Sequence, residues 1–266
     1  MTTKLNIAIA GSAGRMGRQL ISAALKAGHV VSGGSEAPGS EQIGKDLGLL
    51  GGLEPTGAVV TDDVAIAARD ASVWVDFTVP AATLAALSAS AAPAFVIGTT
   101  GFSDAEEQQI KVASSSAAIV KAGNFSLGVN LLEALVKQAA SRLGEDWDIE
   151  VLETHHRHKV DAPSGTALML GAAAAAGRSK PLNEVRAAPY DGADAKRVAG
   201  EIGFSMRRSG GVIGDHEVTY ASEMEILSLR HTALDRAVFA YGAIKAAEWI
   251  AAQPPGLYDM SDVLGV

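Results

Sequence analysis

A compact group of protonatable side chains lies in the segment ETHHRHKVDAPSGTAL at 153–168, in a chain whose formal net charge is −8. Five consecutive residues in it carry a charge or can gain one: His155, His156, Arg157, His158 and Lys159. Histidine and lysine can exchange protons during a reaction, and a local cluster of cations attracts a small anion. We therefore expect this segment to bind a small acid, with His155 or Lys159 as the proton donor.

The residues after the basic cluster add a second anion-binding feature. Ser164 stands before Gly165, Thr166 and an alanine-rich stretch, so it is a candidate N-cap of a helix. The backbone N–H groups of Gly165 and Thr166 would then point out of the helix N-terminus, where a carboxylate can bind. Together with His156 and Lys159, this helix start predicts a site for a small dicarboxylate.

Three other interpretations of the segment stay open. Its histidines could bind zinc, but neighbouring histidines in an extended loop point apart, and Arg157 and Lys159 would repel the cation. Ser164 could be a hydrolase nucleophile, although the G-x-S-x-G turn of that class is missing. The cluster could also be a solvated basic loop without a function, as many runs of charge are.

A glycine-rich turn near the start of the chain is a candidate dinucleotide site. GSAGRMG at 11–17 follows the apolar run KLNIAIA and precedes a stretch with apolar residues at helical spacing. In such a strand, turn and helix, free N–H groups and the helix dipole attract a pyrophosphate, which glycine allows to approach closely. The pattern G-x-x-G-x-x-G differs from the commonest fingerprint, so a purely structural turn is the alternative.

Glu36 stands at the end of the second predicted strand, where a carboxylate usually binds the ribose hydroxyls of the adenosine half. NADP would need a cation there for its 2′-phosphate, but Ala37 and Pro38 follow, and the nearest lysine is Lys45. We expect NADH to be favoured, or at least not disfavoured, over NADPH.

Short apolar runs organise the first part of the chain. They predict strands at 4–10, 29–34, 57–60, 73–77, 94–97 and 117–121. Strands that alternate with helix-length segments are typical of βαβ units and a parallel sheet. The loops FTVP at 77–80 and GTTGF at 98–102 would then lie at carboxyl ends of strands, where a nicotinamide can bind, although each alone could simply end a strand.

The pattern changes after about residue 125. Helices are predicted over about 127–143, 165–177 and 233–251. Strands are predicted at 148–154, 199–207, 212–220 and 223–231. Short turns separate the last three strands and predict an antiparallel meander, and the final helix is expected to return to the first domain.

These elements predict an α/β protein with a Rossmann-type parallel sheet domain and a smaller α+β domain that has a mixed or antiparallel sheet. We place a dinucleotide-binding domain at 1–126, with 236–266 returning to it. A substrate-binding and oligomerisation domain is placed at 127–235.

Composition excludes several classes of function. A net charge of −8 argues against non-specific binding to nucleic acid or to an anionic membrane. The chain has no cysteine, so disulfides, thiolate nucleophiles and thiolate metal sites are excluded. No window reaches the roughly 18 apolar residues of a membrane span, and the first apolar run is too short for a secretory signal. We expect a cytoplasmic protein.

The sequence resembles the 4-hydroxy-tetrahydrodipicolinate reductase family, also called dihydrodipicolinate reductases, over essentially its whole length. The most specific element is E-x-H-H-x-x-K-x-D-x-P-S-G-T-A, present as ETHHRHKVDAPSGTA. Other matching segments are IAGSAGRMGRQL near the start, VIGTTGF at 96–102, AGNFSLGVN at 122–130 and the LYDMSDVL tail.

The resemblance implies an NAD(P)H-dependent oxidoreductase that acts on a C=C bond of a cyclic dicarboxylate, giving tetrahydrodipicolinate in the diaminopimelate route of lysine biosynthesis. It implies His155 as proton donor or acceptor, Lys159 as proton donor, and His156, Gly165 and Thr166 as substrate contacts. The implied cofactor contacts are Gly11, Ser12, Ala13, Gly14, Arg15, Met16, Glu36, Gly98, Thr99, Thr100, Ala122, Gly123, Asn124 and Phe125. It also implies a homotetramer. No metal site is predicted.

Some points stay open beside the resemblance. Ala37 stands where some family members carry an arginine, which makes the use of NADPH less expected. A different nicotinamide oxidoreductase, such as an amino-acid or homoserine dehydrogenase, would not require the His-His-x-x-Lys cluster, and a dinucleotide sensor would bind cofactor without turnover. Spacing alone assigns no role to five charged or titratable residues near the end: Arg207, Arg208, His216, Glu223 and His231.

Overall fold

The computed structural model describes residues 3–266. Its strands are β1 Asn6–Ala10, β2 Val30–Ser35, β3 Val60–Thr61, β4 Val73–Asp76, β5 Ala94–Ile97, β6 Ala118–Lys121, β7 Asp148–His155, β8 Ile202–Arg208, β9 Gly214–Ala221, β10 Ile226–Ala233 and β11 Gly256–Tyr258. Its helices are α1 Arg15–Lys26, α2 Leu47–Leu50, α3 Val64–Ala68, α4 Pro80–Ala89, α5 Asp104–Ala113, α6 Leu127–Arg142, α7 Gly165–Gly177, α8 Leu182–Val185, α9 Ala237–Ile250 and α10 Met260–Leu264. Among the described residues, every helix is too short or too polar to span a bilayer.

The first of two compact units comprises, within the described residues, 3–127 and Ala237–Gly265. It holds a seven-stranded sheet in the order β11-β6-β5-β4-β1-β2-β3, and all of these pairings are parallel. Strands β4 and β5 are buried at every residue because helices cover both faces, as is usual for a parallel sheet. Leucine, isoleucine and alanine side chains of α1 and α9 form one core cluster with β1 and β4.

The predicted Rossmann-type sheet is confirmed, and five of the six predicted strands agree closely in position. The third, predicted at 57–60, is only the pair Val60–Thr61. β11 was not predicted, because its three residues are partly exposed and too few to form an apolar run. All strands of a parallel sheet present their carboxyl ends at the same edge, so the loops after β1, β2, β4, β5 and β6 meet there.

The second unit comprises Gly128–Arg236 together with Val266. Its four-stranded sheet has the order β10-β9-β7-β8, with β7 parallel to β8 and antiparallel to β9. Side chains of β7 alternate between buried and half-buried positions, so one face of the sheet is covered. Apolar residues of α6 and α7 pack on that face: Leu132, Val136, Ala167, Leu170 and Ala174.

The predicted antiparallel meander of the last three strands is wrong. Of these three strands, only β9 and β10 pair with each other, whereas β7 lies between β8 and β9. α7 and α8 carry the chain from β7 back to the start of β8, and such a crossover produces a parallel pair. The short turn before β9 resembles a hairpin turn in sequence, but it does not identify which strand β9 contacts.

Candidate active site

Glu153 on β7 is the buried centre of a polar network in the second unit, with 1% of its surface exposed. Its Oε2 lies 2.5 Å from Nδ1 of His155, and its Oε1 accepts a hydrogen bond from the backbone N–H of Ser164 at 3.1 Å. The guanidinium of Arg208 on β8 donates to both oxygens, at 3.0 and 3.2 Å. One carboxylate thus joins the ends of two strands to the start of α7.

The environment of Glu153 keeps it ionised. Burial by itself raises the pKa of this carboxyl, but hydrogen bonds from His155, Arg208 and the Ser164 N–H outweigh burial and hold the pKa below its ordinary value. An ionised carboxylate has no proton to donate, so every hydrogen bond that it makes is an accepted one.

The start of α7 has the geometry that the sequence predicts. Ser164 is its N-cap, and the Ser164 hydroxyl oxygen accepts a hydrogen bond from the N–H of Ala167 at 3.2 Å. Gly165 is the first helical residue, and a Cβ added to it would meet nothing within 4 Å. An anion can therefore approach the N–H groups at this helix start without meeting a side chain of Gly165.

His216 on β9 is a neighbour of this network that spacing did not identify. Its Nε2 lies 3.2 Å from the Ser164 hydroxyl, and its ring meets the His155 ring edge-on with 5.1 Å between centroids. Burial and then the electrostatic effect of the neighbouring His155 lower the pKa of His216 to about 4. His216 is therefore neutral near pH 7 and acts as a packing and hydrogen-bonding group.

His156 and Lys159 lie in the same loop but have other partners. Lys159 donates from Nζ to both carboxylate oxygens of Asp161, at 2.8 and 2.9 Å. Arg236 donates to Nε2 of His156 at 3.0 Å. Burial and the charge of Arg236 lower the pKa of His156. The structure thus brings His155 and the start of α7 together through Glu153, whereas Lys159 and His156 are held by separate ion-pair and hydrogen-bond partners.

The zinc and hydrolase interpretations find no support in this geometry. Within residues 3–266, no three or more His, Asp or Glu side chains are grouped so that they could hold a metal ion. His155 faces Glu153 whereas His156 faces Arg236, so the neighbouring histidines point to different partners. The Ser164 hydroxyl is used as the cap of α7.

The glycine turn of the first unit lies between β1 and α1, as predicted. Gly11 has a φ of +57°, a left-handed conformation that favours glycine. A Cβ at Gly17 would lie 2.1 Å from the carbonyl oxygen of Gly11, so the turn packs against the helix too closely for a side chain there. Gly14 is the N-cap and has no side chain to offer, which leaves the first N–H groups of α1 for another acceptor.

Glu36 follows β2 and lies at this turn. Its Oε1 accepts a hydrogen bond from the N–H of Ala13 at 2.8 Å. The remaining cofactor candidates, Gly98–Thr100 and Ala122–Phe125, follow β5 and β6. Because these strands are parallel, all the predicted cofactor residues belong to one edge of the sheet. The turn combines glycines, N–H groups without a side-chain cap and the Glu36 carboxylate beside them. These features fit the pyrophosphate and ribose of a dinucleotide.

Asp76 is a site residue that sequence reasoning missed. It is fully buried at the end of β4. Its Oδ1 accepts hydrogen bonds from the Thr78 hydroxyl at 2.6 Å and the Thr99 hydroxyl at 3.1 Å, and the Thr78 N–H also donates to it at 3.0 Å. Asp76 therefore fixes the loops after β4 and β5 relative to each other. An acidic residue directly after the buried run VWV is the signal that could have found it.

Three residues complete the second unit's network, and their signals differ. Period-two alternation along β7 places Glu153 and His155 on the same face, so Glu153 could have been recognised from the motif itself. Arg208 and His216 come from β8 and β9, and their register opposite His155 and Glu153 is known only once the strands are paired.

Comparisons with known proteins agree with this arrangement. The family model described as dihydrodipicolinate reductase, N-terminus, matches residues 5–125, and that described as dihydrodipicolinate reductase, C-terminus, matches residues 128–264. The chain is 54% identical over 270 residues to 4-hydroxy-tetrahydrodipicolinate reductase of Parvibaculum lavamentivorans, with 100% of both chains covered. It is 51% identical over 265 residues to the enzyme of the same name from Afipia carboxidovorans, which covers 98% of this chain and 97% of the relative.

A solved structure has the same fold. Dipicolinate-bound dihydrodipicolinate reductase from Paenisporosarcina sp. TG-14 superposes with a TM-score of 0.76 at 22% identity, covering 97% of this chain and 98% of that one.

Proposed function

The chain belongs to the dihydrodipicolinate reductase family, and from that premise we propose roles for its residues and a choice of cofactor. Its reaction is the nicotinamide-dependent reduction of 4-hydroxy-tetrahydrodipicolinate to tetrahydrodipicolinate, in the diaminopimelate route of lysine biosynthesis. The observation that carries the assignment is the match of both units to the two family models, over 5–125 and 128–264.

We propose that His155 and Lys159 handle the proton of this reaction. Loss of the 4-hydroxyl group as water gives a conjugated C=C–C=N system. A bound nicotinamide would supply two electrons to it as hydride, and the negative charge that this leaves must be neutralised by a proton. A cationic donor near that charge lowers the barrier, typically by about 10²–10⁴-fold in rate. His155 is hydrogen-bonded through Nδ1 to the Glu153 carboxylate. Lys159 has a flexible side chain, and its ammonium group pairs with the exposed carboxylate of Asp161.

His156, Gly165 and Thr166 would bind the substrate carboxylates. The open space at Gly165 and the N–H groups at the start of α7 suit one carboxylate, and His156 with Lys159 suits another. The solved family member from Paenisporosarcina is described as dipicolinate-bound, which supports a cyclic dicarboxylate as the ligand here. Binding both carboxylates would fix the orientation of the ring, a gain in rate that needs no new chemistry.

The nicotinamide dinucleotide would lie along the edge of the first unit's sheet. Gly11–Met16 would bind the pyrophosphate, Glu36 the adenosine ribose, and the loops Gly98–Thr100 and Ala122–Phe125 the nicotinamide half. The α1 N-terminus without a side-chain cap and the Glu36 carboxylate beside Ala13 support this assignment.

NADH is proposed as a cofactor that is favoured, or at least not disfavoured, over NADPH. Glu36 would repel a 2′-phosphate, Ala37 brings no charge, and Lys45 donates to Gln42 instead. The ratio of kcat/KM for NADH and NADPH measures the preference directly. Ala37→Arg is expected to raise kcat/KM for NADPH, with Ala37→Gln as the control, and a strong NADPH preference of the unmodified protein would refute the proposal.

A homotetramer in the cytoplasm is proposed for the assembly and its location. The face of the second sheet opposite α6 and α7 carries Leu152, Thr219 and Ser228, which are half-buried or exposed, and Ile226 on the edge strand β10 is 69% exposed. Such a surface suits sheet-to-sheet packing between subunits. Light scattering after size-exclusion chromatography measures the mass, and a monomer at micromolar concentration would overturn the proposal.

The activity is tested by mixing the purified protein with NADH and the freshly generated product of dihydrodipicolinate synthase, and following the absorbance of the reduced nicotinamide. Rapid oxidation that depends on both substrate and protein is the expected result. Binding of NADH without oxidation would identify a dinucleotide sensor instead.

A further inference from the structure

We propose that Glu153 is a positioning residue, which fixes His155 in the tautomer that carries a proton on Nδ1 and fixes the start of α7 beside it. The inference rests on the proposed role of His155 and adds to it a defined reacting atom, Nε2. It follows from one buried carboxylate that serves three partners on three elements of the second unit.

The tautomer follows from the hydrogen bonds of Glu153. Arg208 donates to both of its oxygens, so the carboxylate is ionised and can only accept. The 2.5 Å contact with His155 is then a hydrogen bond in which Nδ1 is the donor. A histidine that keeps a proton on Nδ1 must exchange its second proton through Nε2.

The surroundings of Nε2 are consistent with proton exchange at that atom. Gly214 on β9 lies beside it, and a Cβ there would be 3.3 Å from Nε2 of His155 and 3.5 Å from Cε1 of His216. Glycine at this position keeps the space next to Nε2 open, while the edge-on His216 ring limits rotation of the His155 ring.

The same carboxylate links His155 to the proposed anion site. Glu153 accepts from the N–H of Ser164, the N-cap of α7, so the ring and the helix start are held from a single group. Arg208 offsets the charge of Glu153. Without this compensation, burial of the carboxylate would be costly. Removal of the charge of Glu153 should therefore disturb the position of His155, and the uncompensated charge of Arg208 should also lower stability.

Glu153→Gln is the sharpest single change because it keeps the shape of the side chain. The amide oxygen of glutamine can still accept from Ser164 and from one N–H of Arg208, which leaves the NH₂ group facing both Nδ1 of His155 and the second N–H of Arg208. An NH₂ group donates, so Nδ1 of His155 must become an acceptor and the ring proton must move to Nε2. The substitution is thus expected to invert the tautomer without emptying the site.

The tautomer can be read without substrate or turnover. In ¹⁵N-histidine-labelled protein, long-range ¹H–¹⁵N spectra distinguish protonated from bare ring nitrogens, and His155→Gln identifies which of the six histidine signals belongs to His155. A proton on Nδ1 in the unmodified protein is expected, whether or not Nε2 is also protonated. An Nδ1 without a proton in the unmodified protein would overturn the inference. This result does not depend on whether Glu153→Gln folds.

Kinetics provide the second readout. Glu153→Gln is expected to lower kcat about 10²-fold, the low end of general acid–base effects, while the Kd for NADH changes less than about twofold. Glu150→Gln is the matched control, since Glu150 lies on the same strand and pairs with Arg197 rather than with His155. Equal kcat losses in the two variants, or a retained kcat in Glu153→Gln, would overturn the inference.

The two readouts separate this inference from the proposed function. If the unmodified protein does not reduce the substrate, the proposed function fails whatever the spectra show. If it does reduce the substrate and Nδ1 of His155 is bare, only the role of Glu153 fails.

Discussion

Two buried carboxylates, one in each unit, have different kinds of partners. Asp76 in the first unit is fully buried and accepts from the neutral hydroxyls of Thr78 and Thr99. Glu153 in the second unit is 1% exposed and accepts from the guanidinium of Arg208 and the ring of His155. The first arrangement fixes loop geometry, and the second fixes a histidine ring, a group that can carry and exchange a proton. The same chemical group thus positions the proposed cofactor loops in one unit and the proposed proton donor His155 in the other.

The largest effect is expected at a proposed proton donor. Lys159→Ala removes a cation from the proposed site and should lower kcat by about 10²–10⁴-fold, the range of general acid catalysis. The Kd for NADH should stay within about twofold, because the first unit is unchanged. Steady-state rates and fluorescence titration with NADH measure the two quantities.

Lys180→Ala is the matched control for Lys159→Ala. Lys180 is also in the second unit and pairs with a single carboxylate, that of Glu145, on the surface. Its kcat should equal that of the unmodified protein. A loss of NADH affinity in Lys159→Ala that matches the loss of kcat would mean that the basic loop supports the fold and not the chemistry.

The second effect is a pH dependence of stability that arises from His216. Its folded-state pKa is about 4, below the ordinary value of 6.5, so the unfolded chain binds this proton more readily. The stabilisation is fully present above about pH 6.5 and is lost as the pH falls toward 4. Between about pH 7.5 and about pH 5, this one group should account for about 2 kcal/mol of unfolding free energy.

Urea denaturation at the two pH values measures this difference. His216→Gln has no titrating ring, so it should lose about 2 kcal/mol less than the unmodified protein over the same interval. Parallel losses in both proteins would show that His216 does not become protonated on unfolding in this range.

The third effect should fall on the cofactor. In the unmodified protein, the indole N–H of Trp74 donates to Oδ2 of Asp76 at 3.4 Å. Asp76→Asn keeps one acceptor oxygen for Thr78 and Thr99 but places an NH₂ group near that indole N–H. The resulting distortion of the two loops should weaken NADH binding by about 1 kcal/mol, which corresponds to a roughly fivefold rise in the KM for NADH with kcat little changed. Asp70→Asn, an exposed acid of the same unit, is the control. A fall in kcat with constant KM would mean that Asp76, like Glu153, affects the reaction rather than cofactor binding.

The smallest effect is expected at a surface ion pair. Arg230 is more than half exposed and pairs with Asp215. Arg230→Ala should leave the urea midpoint of unfolding almost unchanged, in contrast to a break of the buried pair of Arg208 and Glu153. A double-mutant cycle with Asp215→Ala measures the coupling, and a coupling as large as that between Arg208 and Glu153 would mean that another subunit covers this pair.

Most strands of the first unit's sheet could be predicted from the sequence, although β11 and Asp76 were missed. Apolar runs, the glycine turn and Glu36 are local signals, because burial, turn geometry and the strand-to-helix step are each determined by neighbouring residues. The N-cap at Ser164 was predicted for the same reason. β3 and β11 are too short for any periodic signal.

The second unit was harder to predict because its network is assembled across strands. His155, Lys159 and Gly165 could be chosen from their spacing, but Arg208 and His216 reach Glu153 and Ser164 only through the order β10-β9-β7-β8. The expected meander would have placed β8 beside β9 and given His216 a different neighbour. Pairing partners depend on long-range packing, and that information is not contained in turn spacing.

The central position of β7 also determines when the site can form during synthesis. β7 pairs only with strands made later, since Ile149 lies opposite Ile202 and Tyr220. A long stretch of chain separates β7 from β8 and β9, so bringing these strands together is slow and costs conformational entropy before their contacts form. A nascent chain released before residue 202 would carry the whole ETHHRHK segment without the strands that hold it, and protection of that segment from protease should appear only after β9 has left the ribosome.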